Sequence, residues 1–219
     1  MFFFYCIDGA LAVAAPWWRF LVSRASAGIL LKTNRTFPPS HPTTKMCLRL
    51  MLQDFKRRRC RTLVDVGCGS GILALAGLKL GVKRAVAVDI SSQALATSRA
   101  NAELNDVRDR LLLVRGSAEA LAGRFDMVLA NLPMPVLRDK LGELVRLSRD
   151  EASLVLSGFQ DVDKTLVEQE IARLGLIAQD WLREDLSFSA VPPSGSFTWM
   201  AVLARRSQLQ SRVSFRGST

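Results

Sequence analysis

The sequence predicts an α/β fold built on a seven-stranded, mostly parallel sheet with an antiparallel edge hairpin and helices on both faces. Three observations predict it. First, Thr62-Leu63-Val64-Asp65-Val66-Gly67-Cys68-Gly69-Ser70-Gly71-Ile72-Leu73-Ala74 runs from β-branched residues through an acid and alternate glycines into an apolar helical pattern. That is strand, tight turn and helix. Second, four more strand-type runs follow, with helical patterns between most of them, as parallel crossovers require. Third, the runs Leu176 to Leu186 and Phe197 to Leu203 succeed one another with no helix between, joined through Pro192-Pro193-Ser194-Gly195. Two consecutive strands make a hairpin, hence an antiparallel edge pair.

A chain of 219 residues with 49% hydrophobic content has one globular domain as its prior and enough length for a substantial core. Thirty basic residues against 20 acidic ones leave a charge of +10, which favours anionic partners such as nucleic acid, ribosomes or a membrane surface without choosing among them. Cys6, Cys47, Cys60 and Cys68 form no C-x-x-C pair, and His41 is the sole histidine, so no metal set is expected. A reduced, cytoplasmic compartment is the simplest fit.

Residues 1–35 read as an apolar leader. Phe2 to Ile7 and Leu11 to Ala15 are apolar, but Asp8 interrupts them and no basic residue precedes them, so neither a signal peptide nor a membrane span is expected. Trp17, Trp18 and Phe20, beside Arg19 and Arg24, also suit an interfacial or partner-binding helix. A disordered or wrongly started leader is a further reading. From Thr36 to Thr44 the prolines make a stiff loop. Thr43 or Thr44 is expected to cap a helix from Lys45 to Phe55, whose Met46, Leu48, Leu50, Met51, Leu52 and Phe55 supply an apolar face. The basic run from Lys56 to Arg61 reads as a solvated connector, with a phosphate-contacting patch as the sharper alternative.

After the glycine turn, Ile72 to Leu80 is the first crossover helix, closed by Gly81. Arg84 to Ile90 is the second strand, Ser91 to Leu104 a helix with capping serines, and Leu111 to Val114 the third strand. Asp126 to Pro133 is the fourth strand and its exit; Leu137 to Ser148 is helix, Ala152 to Phe159 strand, and Asp161 to Leu174 helix stopped by Gly175. The expected domain covers residues 36–205, followed by a basic, disordered tail over 206–219.

Chemistry gathers at the strand ends. Alternate glycines let the backbone turn through positive φ and let a ligand lie on bare main chain. A dinucleotide fingerprint would need glycine where Ile72 stands, so Asp65-x-Gly67-x-Gly69-x-Gly71 does not describe a pyrophosphate loop. Asp89 ends the second strand 18 residues after Gly71, placed to accept from both hydroxyls of a ribose, with Ile90 free to pack on a base. A helix cap for Ser91 onward is the plainer role for Asp89, as a purely structural turn is for the glycines. Asn131 ends the fourth strand in the same crevice as Asp65 and Asp89; its carbonyl oxygen can accept from an amine nucleophile while its NH₂ donates elsewhere. The alternative is an asparagine that merely turns the strand into Pro133.

The glycine motif resembles the first motif of S-adenosylmethionine-dependent methyltransferases, in which the turn receives the methionyl part of a cofactor without phosphate. His41-Pro42-Thr43-Thr44, about 20 residues ahead of Asp65-x-Gly-Cys-Gly-Ser-Gly-Ile-Leu-Ala, narrows the resemblance to the ribosomal protein L-eleven methyltransferase family. Its members methylate lysine side chains and an α-amino group of that protein. The Leu156-Ser157-Gly158-Phe159 run also resembles the family's Leu-Ser-Gly-Ile.

The resemblance implies a Rossmann-like class I methyltransferase fold, S-adenosyl-L-methionine as cofactor, and Thr44, Asp65, Gly67, Gly69, Asp89 and Asn131 as cofactor-binding residues. Asn131 doubles as the catalytic candidate, and Ser117, Ala118 or Glu119 is expected near the adenine amine. Family members usually continue after this asparagine with Ile-Leu-Ala. Here Leu132-Pro133-Met134-Pro135 drifts toward the Asn-Pro-Pro-Tyr motifs of enzymes that methylate planar amines in bases or glutamine. Known members also carry an amino-terminal substrate-recognition domain, for which about 35 residues are too few.

The expected function is therefore N-methyl transfer to protein amino groups, with a ribosomal protein as candidate substrate. Base methylation of nucleic acid and a non-catalytic, cofactor-binding partner subunit are the alternatives. No general base stands out, and His41 in its loop is more readily a structural hydrogen-bonding residue.

Overall fold

The structure, a computed structural model, describes residues 3–22, 25–33, 37–186 and 196–206. A seven-stranded sheet holds β4 (Thr62–Val66), β5 (Arg84–Asp89), β6 (Leu111–Arg115), β7 (Phe125–Asn131), β8 (Ser148–Gln160), β9 (Leu176–Asp185) and β10 (Thr198–Arg206), in the order β6-β5-β4-β7-β8-β10-β9. Strands β4 to β8 run parallel to one another, and β10 lies antiparallel between β8 and β9. The hairpin expected at the edge is present. Its second strand is the inner one, so β10 alone runs against the rest.

Chain order reverses beside β4, whose neighbours are β5 and β7. A crevice opens there beyond the carboxyl ends of the strands.

Alternate residues of β4 feed the two faces, Leu63 one core and Val64 and Val66 the other. Helices α2 (Pro42–Arg57), α3 (Ile72–Lys79) and α4 (Ser92–Leu104) cover the first face; α5 (Met134–Arg146) and α6 (Lys164–Arg173) cover the second. Every residue of α3 from Ile72 to Leu78 is buried. A helix apolar all round needs cover on both sides. The outer cover comes from a second sheet.

That sheet is formed by residues read from the sequence as a leader: β1 (Phe4–Ile7), β2 (Leu11–Ala14) and β3 (Ala27–Leu30), with short helix α1 (Arg19–Val22) between the last two. Ile7, Leu11, Val13 and Ile29 share one core with Leu48, Met51 and Leu75. Asn101 of α4 and Asn105, which caps that helix, fasten the end of the sheet. Asn105 Oδ1 accepts from Leu30 N at 2.8 Å and its Nδ2 donates to Leu30 O at 2.7 Å, while Asn101 makes the same pair of bonds with Lys32. Side-chain amides thus stand in for a neighbouring strand.

Some element boundaries differ from expectation. Helix α2 starts at Pro42 because His41, rather than Thr43 or Thr44, is its cap: the ring accepts from Thr43 N. Helix α5 starts at Met134, since Pro135 fits a first turn where its missing N–H is no loss. Strand β8 begins at Ser148, before its expected start, and β10 runs through Arg206, into the expected tail. Arg24, the 192–195 loop and the tail beyond 206 lie outside the described residues. No helix among the described residues is long and apolar enough to cross a membrane.

Candidate functional site

A cavity of about 460 Å³ opens at the carboxyl ends of β4, β5, β6 and β7. That volume suits a nucleoside-sized ligand. Gly67 and Gly69, both at positive φ, form one wall. A Cβ on Gly67 would sit 2.4 Å from Leu132 Cδ2, whereas one on Gly69 would meet nothing within 4 Å. Gly69 therefore presents bare backbone to open space.

The turn is held from three sides. Gly67 N and Cys68 N donate to Val88 O at 2.9 and 3.2 Å. Asp89 Oδ2 accepts from Gly69 N at 2.9 Å, and its Oδ1 accepts from Ser91 N at 2.9 Å. Ser98 Oγ and Asn101 Nδ2 donate to the carbonyls of Gly69 and Ser70 at 2.9 and 3.0 Å. Asp89 is thus a structural tie and a cavity-lining group at once. Each of its carboxylate oxygens keeps a lone pair for a ligand hydroxyl.

Asp65 does not line the cavity. It is buried beneath the turn and accepts from Ala74 N at 3.1 Å, in the first turn of α3. Burial pushes its pKa up to about 7, against the pull of that N–H, and the charge of Asp89 adds to the rise. Carboxylates at a glycine turn repel phosphate and suit a cationic or phosphate-free ligand.

Thr44 is likewise buried and acts through Asn131. Asn131 lines the cavity, and its Nδ2 donates to Thr43 Oγ1 at 3.2 Å and to Thr44 Oγ1 at 3.5 Å. Thr43 Oγ1 lies 2.8 Å from His41 Nδ1, which also accepts from Thr43 N at 3.3 Å. Burial, then the charge of Lys45, lowers the His41 pKa to about 4. A neutral ring with Nδ1 as acceptor accepts a hydrogen bond from the Thr43 hydroxyl, leaving the Thr43 oxygen to accept from the Asn131 amide. This chain turns Asn131 Oδ1 away from the threonines.

Ile90, Gly116 and Ser117 line the base-sized end, and Ile90 is 74% exposed. Of the other residues expected there, Ala118 is buried, and Glu119 pairs with the cavity-lining Lys140 at 2.6 Å. Sequence reasoning missed Phe37, Leu132, Val136, Gly158 and Trp199, which close the opposite end. The His41 ring packs between Phe37 and Trp199, with centroids 4.5 and 5.0 Å away. Trp199 comes from β10, and nothing near it in sequence marks a site. Gly158 had a signal, a glycine inside a strand. At φ +98 it lets the Leu132 carbonyl approach to where a Cβ would lie only 2.1 Å away. Among the described residues no cluster of His, Cys, Asp or Glu is arranged to hold a metal.

Residues 38–185 match the family described as ribosomal protein L11 methyltransferase (PrmA). The ribosomal protein L11 methyltransferase of Glaesserella parasuis is 37% identical over 144 residues, 65% of this chain and 48% of that protein. That of Colwellia psychrerythraea is 38% identical over 173 residues, covering 76% and 54%. This chain thus spans about half the length of such relatives. Among solved structures, ribosomal protein L11 methylase from Lactobacillus delbrueckii subsp. bulgaricus superposes with a TM-score of 0.78 at 26% identity, covering 94% of this chain and 99% of that one. A putative RNA methyltransferase from Pyrococcus horikoshii, with a TM-score of 0.65 at 17% identity over 81% and 92% of the two chains, shares the fold. The family match covers the glycine turn, Asp89, Asn131 and the threonines that orient it, so sequence and geometry agree: the chain belongs to the ribosomal protein L11 methyltransferase family.

Proposed function

We propose that the chain is an S-adenosyl-L-methionine-dependent N-methyltransferase acting on protein amino groups, with a ribosomal protein of the L11 kind as acceptor. One observation carries this reading. Asn131 stands in the cavity wall with its NH₂ engaged by Thr43 and Thr44, so its Oδ1 is available to an amine. The residues fit the cofactor: Gly69 offers open backbone to the methionyl part, Asp89 has acceptor capacity for ribose hydroxyls, and Ile90 and Ser117 flank the adenine end. The acids at the turn disfavour a phosphate-bearing ligand and tolerate a sulfonium.

S-adenosylmethionine, when bound, supplies an electrophilic methyl group on sulfur. Asn131 Oδ1 accepts a hydrogen bond from the acceptor amine and aims its lone pair. Leu132, Val136 and Trp199 keep water from the amine, favouring its neutral form. Positioning and desolvation of this kind suffice for an in-line displacement. His41, neutral at pH 7 and committed to Thr43, orients Asn131 and takes no proton.

Residues 36–205 form the methyltransferase domain in this reading, and the enzyme works in the cytoplasm. A tritiated cofactor added to the chain with cell extract tests the acceptor class. Label lost only after protease treatment supports a protein acceptor. Loss only after nuclease overturns it in favour of base methylation, and no transfer to any acceptor in favour of a non-catalytic partner.

A further inference from the structure

The edge of the main sheet opposite the cofactor crevice gathers cations from strands far apart in sequence. Arg61 precedes β4, Lys83 precedes β5 and Arg84 opens it, Arg110 precedes β6, Arg124 precedes β7, and Arg206 ends the antiparallel β10. Strands β5, β4 and β7 are neighbours, so their ends are spaced by the sheet's pitch, ~4.8 Å. Lys83 N and Arg84 N both donate to Arg61 O, at 2.9 and 3.2 Å, which sets these three residues side by side.

Arg124 and Arg206 pair with Asp150, and Arg110 donates to the carbonyls of Leu78 and Val82, whereas the charges of Arg61, Lys83 and Arg84 are not neutralised locally. Asp126 has Oδ2 accepting from Arg61 N, Thr62 N and Thr62 Oγ1, and Oδ1 accepting from Arg149. Arg57 and Arg58 are paired with Asp180 and Glu151. The side chains of Lys56, Arg59, Arg61, Lys83 and Arg84 are exposed and have no ion pair or hydrogen bond among the described residues. Arg59 shares its pocket with Asp54, Asp126 and Glu151, which leaves Arg61, Lys83 and Arg84 as the uncompensated group. Holding three like charges side by side costs electrostatic energy that an anionic partner would recover.

We infer that this edge is a binding surface for the phosphate backbone of a nucleic acid, with Arg61, Lys83 and Arg84 at its centre. A row of cations at strand spacing suits a linear chain of phosphates. A membrane surface is a poorer fit, because it calls for apolar anchors among the cations. None of the exposed large apolar side chains belongs to segments 56–61 or 81–84. The surface lies at the far side of the sheet from the crevice, so a bound strand leaves the methyl-transfer site open. It is independent of the proposed acceptor: the basic run read as a solvated connector is here part of a site.

The test uses the full chain and a fluorescein-labelled RNA hairpin, with a DNA duplex of equal length and phosphatidylglycerol vesicles as parallel probes. Arg61→Glu/Lys83→Glu/Arg84→Glu is compared with Arg115→Glu/Arg138→Glu/Lys164→Glu, which changes net charge equally on other surfaces. A milder Arg61→Gln/Lys83→Gln/Arg84→Gln variant guards against misfolding of the first. The expected result is salt-dependent RNA binding that the central reversal weakens at least about tenfold, with the slope of log K against log salt reduced by about 2. The Gln variant should lose less in the same direction, and the control variant should bind near wild type. DNA bound as well as RNA supports the surface, since phosphates are what it reads. Equal losses in both Glu variants, binding to vesicles but not to RNA, or no RNA binding at low salt would each overturn it.

Discussion

Replacing Gly158 by alanine tests whether the position of the Asn131 exit governs catalysis. Gly158 sits at φ +98, and an added Cβ would lie 2.1 Å from Leu132 O, 2.6 Å from Leu132 C and 2.8 Å from Leu132 N. Carbon and its neighbours want about 3.5 Å, so the backbone after Asn131 must retreat on the order of 1 Å. Its anchor, the 3.0 Å bond from Leu132 N to Ser157 O, is adjacent to the insertion and strains with it. A left-handed conformation for alanine costs about 1–3 kcal/mol, to which the displaced contact adds. Misplacement by about 1 Å costs roughly a hundredfold in rate. We expect kcat/KM for the proposed protein acceptor to fall by about that factor, with a stability loss of about 2–4 kcal/mol in urea unfolding. Binding of S-adenosylhomocysteine by calorimetry should change little, because Asp89 and Gly69 are held by other contacts. A folded Gly158→Ala enzyme with wild-type kcat/KM would refute the reasoning.

Asp89→Ala should weaken S-adenosylmethionine binding by roughly a hundredfold or more, since two hydrogen bonds to a carboxylate are worth about 1.5–3 kcal/mol each; equal affinities by calorimetry would remove Asp89 from the site. Gly69→Val should abolish cofactor binding and also cost about 1–3 kcal/mol of stability, because its side chain occupies open space beside the cavity and a branched residue is strained at φ +52; normal binding by the folded variant would reduce the turn to a structural element. Asp65 carries a pKa of about 7, above its value in the unfolded chain, so wild-type stability declines as pH rises from about 4 to 7 while only the unfolded state ionises. Asp65→Asn, which can still accept from Ala74 N, should gain on wild type across that window and then hold its advantage. A stability difference between the two that is flat from pH 4 to 8 contradicts the buried-acid assignment.

The sequence by itself determined what local chemistry dictates. Glycines at 67, 69 and 71 compel a turn through positive φ, and all three adopt it. Asp89 and Asn131 were found because strand ends are marked by a change from apolar to polar residues. Ser91 caps α4 as its hydroxyl suggests, accepting from Ala94 N at 3.3 Å. What only the tertiary structure decided depends on partners distant along the chain. Asp65 and Thr44 were read as ligand-facing. Folding buries both, one under α3 and one behind Asn131, because a strand's face and a helix's rotation are set by packing rather than by residue type. Phe4–Ile7, Leu11–Ala14 and Ala27–Leu30 fall in what reads as a leader, yet they form a sheet that covers the apolar outer side of α3. Trp199 reaches the cavity only because β10 inserts between β8 and β9. Strand order is a property of the whole sheet, and no local pattern encodes it.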